Sequence, residues 1–235
     1  MPVIANLRVP LSVEDVMRAW GPRRAKLASP RMLALVAELL ERAETENWIQ
    51  PAVSFRVWPI IQSGPGWMEL CNGSRLQARL LTHHLRGASH LALGVCTLGA
   101  ALEKRVSEWF ALNERLRGVV LDEIGTLVLY RLSDQLETLM QKEAAILRLE
   151  ASGVLNPGED GFDLSEQATV AQLAGGESIG VSVTTTGMLI PRKSLSLLMG
   201  FGARMPQWSR GERCARCGAR ERCPHRQQIL AGASV

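Results

Sequence analysis

Three cysteines crowd into ten residues near the end of the chain: Cys214-Ala215-Arg216-Cys217, then Gly218 to Arg222, then Cys223, a C-x2-C-x5-C spacing. A C-x-x-C loop turns two thiolates toward one ion, and Gly218 permits the turn this needs. Between Arg204 and Arg226 the segment holds seven arginines (Arg204, Arg210, Arg213, Arg216, Arg220, Arg222 and Arg226) against two glutamates, Glu212 and Glu221. That positive field lowers thiol pKa values and favours the thiolate that binds metal. The pattern reads as a metal or cluster centre rather than as free thiols or a redox pair. Zinc would want a fourth ligand, and His225 closes a Cys3His site. An iron–sulfur cluster is held by Cys thiolates, usually four. Cys71 or Cys96 then supplies the fourth, or one iron stays open or takes another cap. Outside such a role, Cys71 and Cys96 read as buried small hydrophobes.

Other chemistry is sparse. His83 and His84 are adjacent, so on a helix they point in different directions and do not form an i, i+4 metal pair. No G-x-S-x-G, P-loop, H-E-x-x-H or G-x-G-x-x-G pattern occurs, which leaves hydrolase, NTPase and dehydrogenase readings unsupported. The net charge of the 235 residues is only +4, and the arginine surplus of the tail accounts for it. Trp208 is the sole aromatic of that tail, whereas single-strand binders stack bases on several, so nucleic acid is not the expected partner. No apolar run approaches the ~20 residues that cross a bilayer, and the first ten residues lack the order of a signal peptide. A cytoplasmic protein is expected. An odd number of cysteines in a reducing compartment again speaks for metal rather than disulfides.

Hydrophobic residues make up 46% and aromatics 5% of the chain, so the core that positions these groups is aliphatic. Ser12 caps a helix through about Trp20, stopped by Gly21-Pro22, and Ser29-Pro30 starts a second one. Ala52 to Gln62 reads as a strand, with a turn at Ser63 to Gly66 and a hairpin partner at Trp67 to Leu70. Ser74 to Leu85 is expected to be helical, and Ser89 to Cys96 a buried strand. Thr97 is expected to cap a helix through about Leu112. The longest helical pattern runs from about Leu116 to Glu150. Gly125 within it costs roughly 1 kcal/mol against Ala, which predicts close packing there. A loop over Ser152 to Phe162 precedes a short helix at Leu164 to Leu173. Strands follow at Ile179–Val183, Met188–Ile190 and Ser194–Phe201.

Four segments in order carry a resemblance. Gly187-Met188-Leu189-Ile190-Pro191-Arg192-Lys193-Ser194-Leu195-Ser196, just after Ile179-Gly180-Val181-Ser182-Val183-Thr184, resembles an I-G-V-x-L-T-x-x-x-M-x-P-x-K-S-x-S stretch. That stretch belongs to proteins related to the reactivation domain of cobalamin-dependent methionine synthase. Cys96-Thr97-Leu98-Gly99, Leu121-Asp122-Glu123-Ile124-Gly125 and Leu164-Ser165-Glu166-Gln167 resemble further pieces of the same family. Cys214, Cys217, Cys223 and Arg226 resemble the Cys-rich end of its stand-alone members. The match spans about residues 50–226, and Pro191 to Ser196 is its most specific part, although proline and small polar residues also suit an ordinary turn.

The resemblance implies an α+β domain that docks on a corrinoid-carrying domain, binds S-adenosylmethionine and supports reductive methylation of cob(II)alamin. Its cosubstrate loop has the form R-x-S-P-G-Y-G-D. The matching stretch here is Val154-Leu155-Asn156-Pro157-Gly158-Glu159-Asp160-Gly161. Pro157 and Gly158 are kept as contact positions, and Arg192, Lys193 and Ser194 are placed to meet an anionic ligand or partner. Val154 replaces an arginine that would clamp a carboxylate, and Glu159 would repel one. Ordinary binding of S-adenosylmethionine is therefore not expected.

The expected fold is α+β: a helical middle with a long central helix packed on an antiparallel or mixed sheet, like the methionine synthase activation domain. Residues 1–50 form a helical segment, 51–203 the α+β body, and 204–235 an Arg/Cys-rich metal- or cluster-binding tail. The expected function is an accessory role in corrinoid-dependent methyl transfer. The chain would dock on a corrinoid protein or methyltransferase and support its reductive activation through a 4Fe-4S cluster on Cys214, Cys217 and Cys223, with Cys71 or His225 as the possible fourth ligand. Two alternatives stand beside it: a zinc-stabilised protein-binding module, and an S-adenosylmethionine-binding domain with a degenerate site. No catalytic residue is assigned.

Overall fold

The computed structural model describes residues 3–159, 161–216 and 220–223. After a short strand β1 (Val3–Ala5), Ser12 starts helix α1 (Val13–Lys26) through a reciprocal capping box with Asp15. Gly21 takes a φ of 78° and interrupts the helix, and Pro22 opens a further turn to Lys26. The stop signal at Gly21-Pro22 thus makes a kink rather than an end. Ser29 caps helix α2 (Pro30–Thr45), with Pro30 at its first position.

Strands β2 (Ala52–Gly64) and β3 (Trp67–Leu70) form the expected hairpin. The helix expected over Ser74 to Leu85 does not form. Arg75–Gln77 is instead a strand, β4, antiparallel to β3, and only Leu81–His84 is helical (α3). Leu76 is buried between exposed neighbours, and Arg75 reaches Glu69 across the ladder at 2.9 Å. A ready strand partner outweighs the helical spacing of the leucines.

Strand β5 (Ala88–Thr97) ends one residue beyond the apolar run, and helix α4 (Ala101–Ala111) starts later than expected. The Thr97 hydroxyl accepts from the Gly99 amide at 3.1 Å and so shapes the turn, while Ala100 stands at the helix start without a side-chain cap. Helix α5 (Arg115–Ile146) runs its 32 residues unbroken. A Cβ on Gly125 would lie 2.9 Å from Leu102 Cδ1, which accounts for the glycine by close approach of α4. Strand β6 (Glu150–Ala151) follows.

A 3-10 turn (Leu164–Glu166) leads into α6 (Gln167–Leu173). The strand expected over Ile179 to Val183 shrinks to β7 (Ser182–Val183), because Gly176–Ile179 forms a second 3-10 turn. Among the described residues, strand β7 pairs only with β8 (Leu189–Ile190). Strand β9 (Ser194–Gly202) and helix α7 (Arg210–Arg216) complete the described chain.

The main sheet has the order β4-β3-β2-β5-β9-β6, with β1 beside β2, and every pair is antiparallel. Strand β5 is apolar and buried from Leu91 to Cys96 because both its faces are covered there. Ala92 and Cys96 face the core made with α1, α2, α4 and α5, while Leu91, Leu93 and Val95 join the opposite core with α3 and α6. Gly94 lets α5 come close, since a Cβ there would meet Met140 Sδ at 3.0 Å. The fold is α+β, with the long helix packed on the sheet.

Candidate functional site: a cleft at the open edge of β9

Strand β9 pairs with β5 along its length, but its other edge is used sparingly. Strand β6 pairs only with Phe201 and Gly202, and Leu155 bridges to Leu198. Among the described residues, the edge from Ser194 to Leu197 has no strand partner. A cleft of about 500 Å³ opens there. Tyr130 and Ser133 of α5, the loop residues Asn156 to Glu159, Gln167 of α6, Met188 and Leu189, Arg192, and Ser194 to Ser196 line it.

Side-chain hydrogen bonds stand in for the missing ladder. The Asn156 amide donates to the Ser196 carbonyl at 2.7 Å, and the Gln167 amide to the Ser196 hydroxyl at 2.5 Å. On the paired side of β9, the Ser194 hydroxyl donates to Thr97 Oγ1 of β5 at 2.8 Å. Gln167, Ser194 and Ser196 are all buried, so these bonds hold the wall firm. Arg192 sits at the rim with its side chain 71% exposed, while its backbone amide donates to Glu103 at 2.8 Å. A firm polar wall, apolar Met188, Leu189 and Leu195, and the Arg192 guanidinium, exposed although its Nε lies 3.9 Å from the Glu103 carboxylate, suit a ligand or partner group carrying negative charge.

Of the residues singled out in the sequence, Pro157, Gly158, Arg192 and Ser194 come together in this cleft, and half-buried Cys214 joins them on its wall. Lys193 does not. Successive residues of an extended chain point to opposite sides, and its ammonium goes to Thr126 at 2.8 Å and Asp122 at 3.0 Å. Cys71 is exposed in the turn after β3 and is not a buried small hydrophobe. Three strand intervals, roughly 14 Å at usual sheet spacing, separate β3 from β9. Cys96 is fully buried, and burial pushes its thiol up to about 12, so it is a small core hydrophobe. Cys223 is half-buried, while Cys217 and His225 lie outside the described residues. Among the described residues, no three His, Cys, Asp or Glu side chains gather as a metal group. The His83 and His84 rings pack edge to face at 5.5 Å, and His84 lies 5.9 Å from the Trp208 ring.

Tyr130 and Ser133 carry no motif in the sequence, and Gln167 figured there only within the Leu164–Gln167 resemblance, not as a site residue. Ser133 carried a usable signal: a polar residue beside Leu132 and Leu136 on an apolar helix face needs a reason.

No family model and no curated protein sequence matches this chain. Among solved structures, it is similar to a crystal structure of the MetH reactivation domain bound to AdoHcy. The TM-score is 0.54 at 14% identity, over 89% of this chain and 81% of that one. The chain has the fold of the MetH reactivation domain.

Within that MetH-like fold, the loop matched to the family's cosubstrate loop keeps Pro157 and Gly158 on the cleft. Val154, at the position matched to arginine, is 2% exposed and belongs to the main core. It therefore offers no clamp to a carboxylate in the cleft. Glu159 lines the cleft instead. Among the described residues, no helix is long and apolar enough to cross a membrane.

Proposed function

We propose that this chain is an accessory protein of corrinoid-dependent methyl transfer, docking on a corrinoid protein and supporting its reductive activation. The observation that carries this reading is the cleft itself. On the fold of a domain that works beside cobalamin, segments of three family motifs meet at one open strand edge, and Cys214 stands on the wall. The cysteines Cys214, Cys217 and Cys223 are the donors for an iron–sulfur cluster in this reading. Bound there, a cluster would supply the low-potential electron that an oxidised, inactive corrinoid needs. Arg192 at the rim meets negative charge on the partner, and the apolar lining at Met188 and Leu189 excludes water from the contact.

Loss of the arginine clamp at Val154 favours such an electron-donating role over methyl donation. The MetH neighbour was solved with AdoHcy, which keeps S-adenosylmethionine as a second reading, with Glu159 against its carboxylate. A structural zinc on the same thiolates is the third.

Purification without air separates them. Brown protein with stoichiometric iron and acid-labile sulfide, co-purifying with a pink corrinoid protein, is the expected result. Colourless protein with one zinc per chain would replace the cluster by a structural ion. Heat on titration with millimolar S-adenosylmethionine would restore the methyl-donor reading.

A further inference from the structure

The segment that joins β9 to the cysteines is fastened to the body at every step. The Met205 amide donates to Glu150 at 3.0 Å, and its side chain is buried against Gly200 and Gly202. The Gln207 amide donates to the Ala151 carbonyl, and the Gly153 amide to the Pro206 carbonyl at 3.1 Å. Trp208 then closes the run. Its indole N–H donates to the Val154 carbonyl at 2.8 Å, and its ring lies on Gly153 so closely that a Cβ there would fall 2.4 Å from ring carbon. Only glycine fits at 153 under that ring.

Helix α7 starts directly after this anchor. The Ser209 hydroxyl accepts from the Glu212 amide at 3.2 Å, and the Glu212 carboxylate accepts from the Ser209 amide at 2.6 Å, a reciprocal cap. A helix rises about 1.5 Å per residue, so the capped start hands the position of Trp208 on to Cys214 over little more than one turn. Cys214 ends on the wall of the cleft.

We propose that Trp208, seated on Gly153, is a positioning residue that holds the cysteine-bearing segment against the cleft, so that the Cys214 thiol forms part of the ligand-binding wall. This rests on the reading of cleft and cysteines as one functional site. It gives Cys214 a fixed address: whatever its thiol carries is presented to the occupant of the cleft.

The chain supplies its own controls for a test. Cys71 is exposed, Cys96 is fully buried and Cys214 is half-buried. Full-length, reduced and chelator-treated protein is alkylated with iodoacetamide at about pH 8, near the ordinary thiol pKa, and each cysteine is followed by mass spectrometry. In Trp208→Ala the rate at Cys214 rises about tenfold as the segment opens locally, with Cys71 unchanged and Cys96 unlabelled. Gly153→Val, which removes the seat and leaves the tail sequence intact, reproduces this rise, and Trp208→Phe restores most of the protection. Equal Cys214 rates in wild type and Trp208→Ala overturn the proposal. So does labelling of Cys96 together with Cys214, which would make Trp208 a general stabiliser of the body. Because neither metal nor corrinoid is present, this experiment fails or succeeds independently of the iron–sulfur reading.

Discussion

The ammonium of Lys193 lies 3.0 Å from the Asp122 carboxylate and donates to the Thr126 hydroxyl at 2.8 Å. It ties the turn before β9 to the first half of α5, and so fixes where the cleft's strand wall begins. The Lys193 side chain is 16% exposed and that of Asp122 49%. Lys193→Ala, which loses the buried stem and the hydrogen bond, is expected to cost about 1–2 kcal/mol. Asp122→Asn should cost less than about 1 kcal/mol, as water screens the pair. Urea unfolding of both variants checks the order, and a costlier Asp122→Asn would make the ion pair the dominant contact.

Gln167 and Ser196 share a short bond with both side chains buried. Either alanine substitution leaves a polar atom without its partner, so each is expected to lower stability by about 1–3 kcal/mol. The double variant should cost less than the sum, since the second change removes an already orphaned group. Additive losses in a double-mutant cycle would mean that the two contribute separately.

At Gly125, the Cβ contact of 2.9 Å is with a terminal methyl of Leu102, which can give way. Gly125→Ala should therefore stay within about 1 kcal/mol of wild type, the helix-propensity gain offsetting the shift. Gly125→Val adds bulk that α4 cannot absorb and should cost about 1–3 kcal/mol. Thermal unfolding distinguishes the two.

Burial raises the Glu166 carboxyl above the ordinary value, the backbone bond at Gln77 working against it and Asp163 with it. Its Oε2 is buried with no hydrogen-bond partner among the described residues. The folded state thus binds the proton more tightly than the unfolded one. Its contribution is most favourable below the unfolded pKa and is lost as pH rises through the folded one. Glu166→Gln should leave stability unchanged at the acid end and raise it at neutral pH. A gain that is equal at both ends would show that the carboxyl's charge is not the cause.

Under the cluster reading, Cys214→Ser or Cys217→Ser strips the metal and leaves the unfolding of the body unchanged. Two cores flank the sheet without any thiolate ligand in them, so chelation should loosen only the tail. Calorimetry before and after chelator treatment tests this, with loss of the main transition as the contrary result.

Local chemistry made much of the architecture legible. Caps at Ser12 and Ser29, the Gly-Pro turn of the β2–β3 hairpin, the unbroken apolar run of β5 and the long pattern of α5 all depend on neighbours within a few residues. The Pro191 to Ser196 motif likewise pointed to the right strand. What failed was decided by strand pairing that helical spacing does not record: β3, just upstream, drew Arg75–Gln77 into a strand, and Ser194, far along the chain, drew Thr97 into the ladder and its hydroxyl bond.

The amino-acid sequence alone determined an α+β chain with a thiolate-rich end, because periodicity, capping and cysteine spacing are written in short stretches. Only the tertiary structure decided that Lys193 turns away, that Val154 sinks into the core and that Cys214 stands on the wall of the cleft beside Arg192. Those outcomes follow from which strand edge is left open and which side of an extended chain meets α5, and both arise from contacts between residues far apart in the chain.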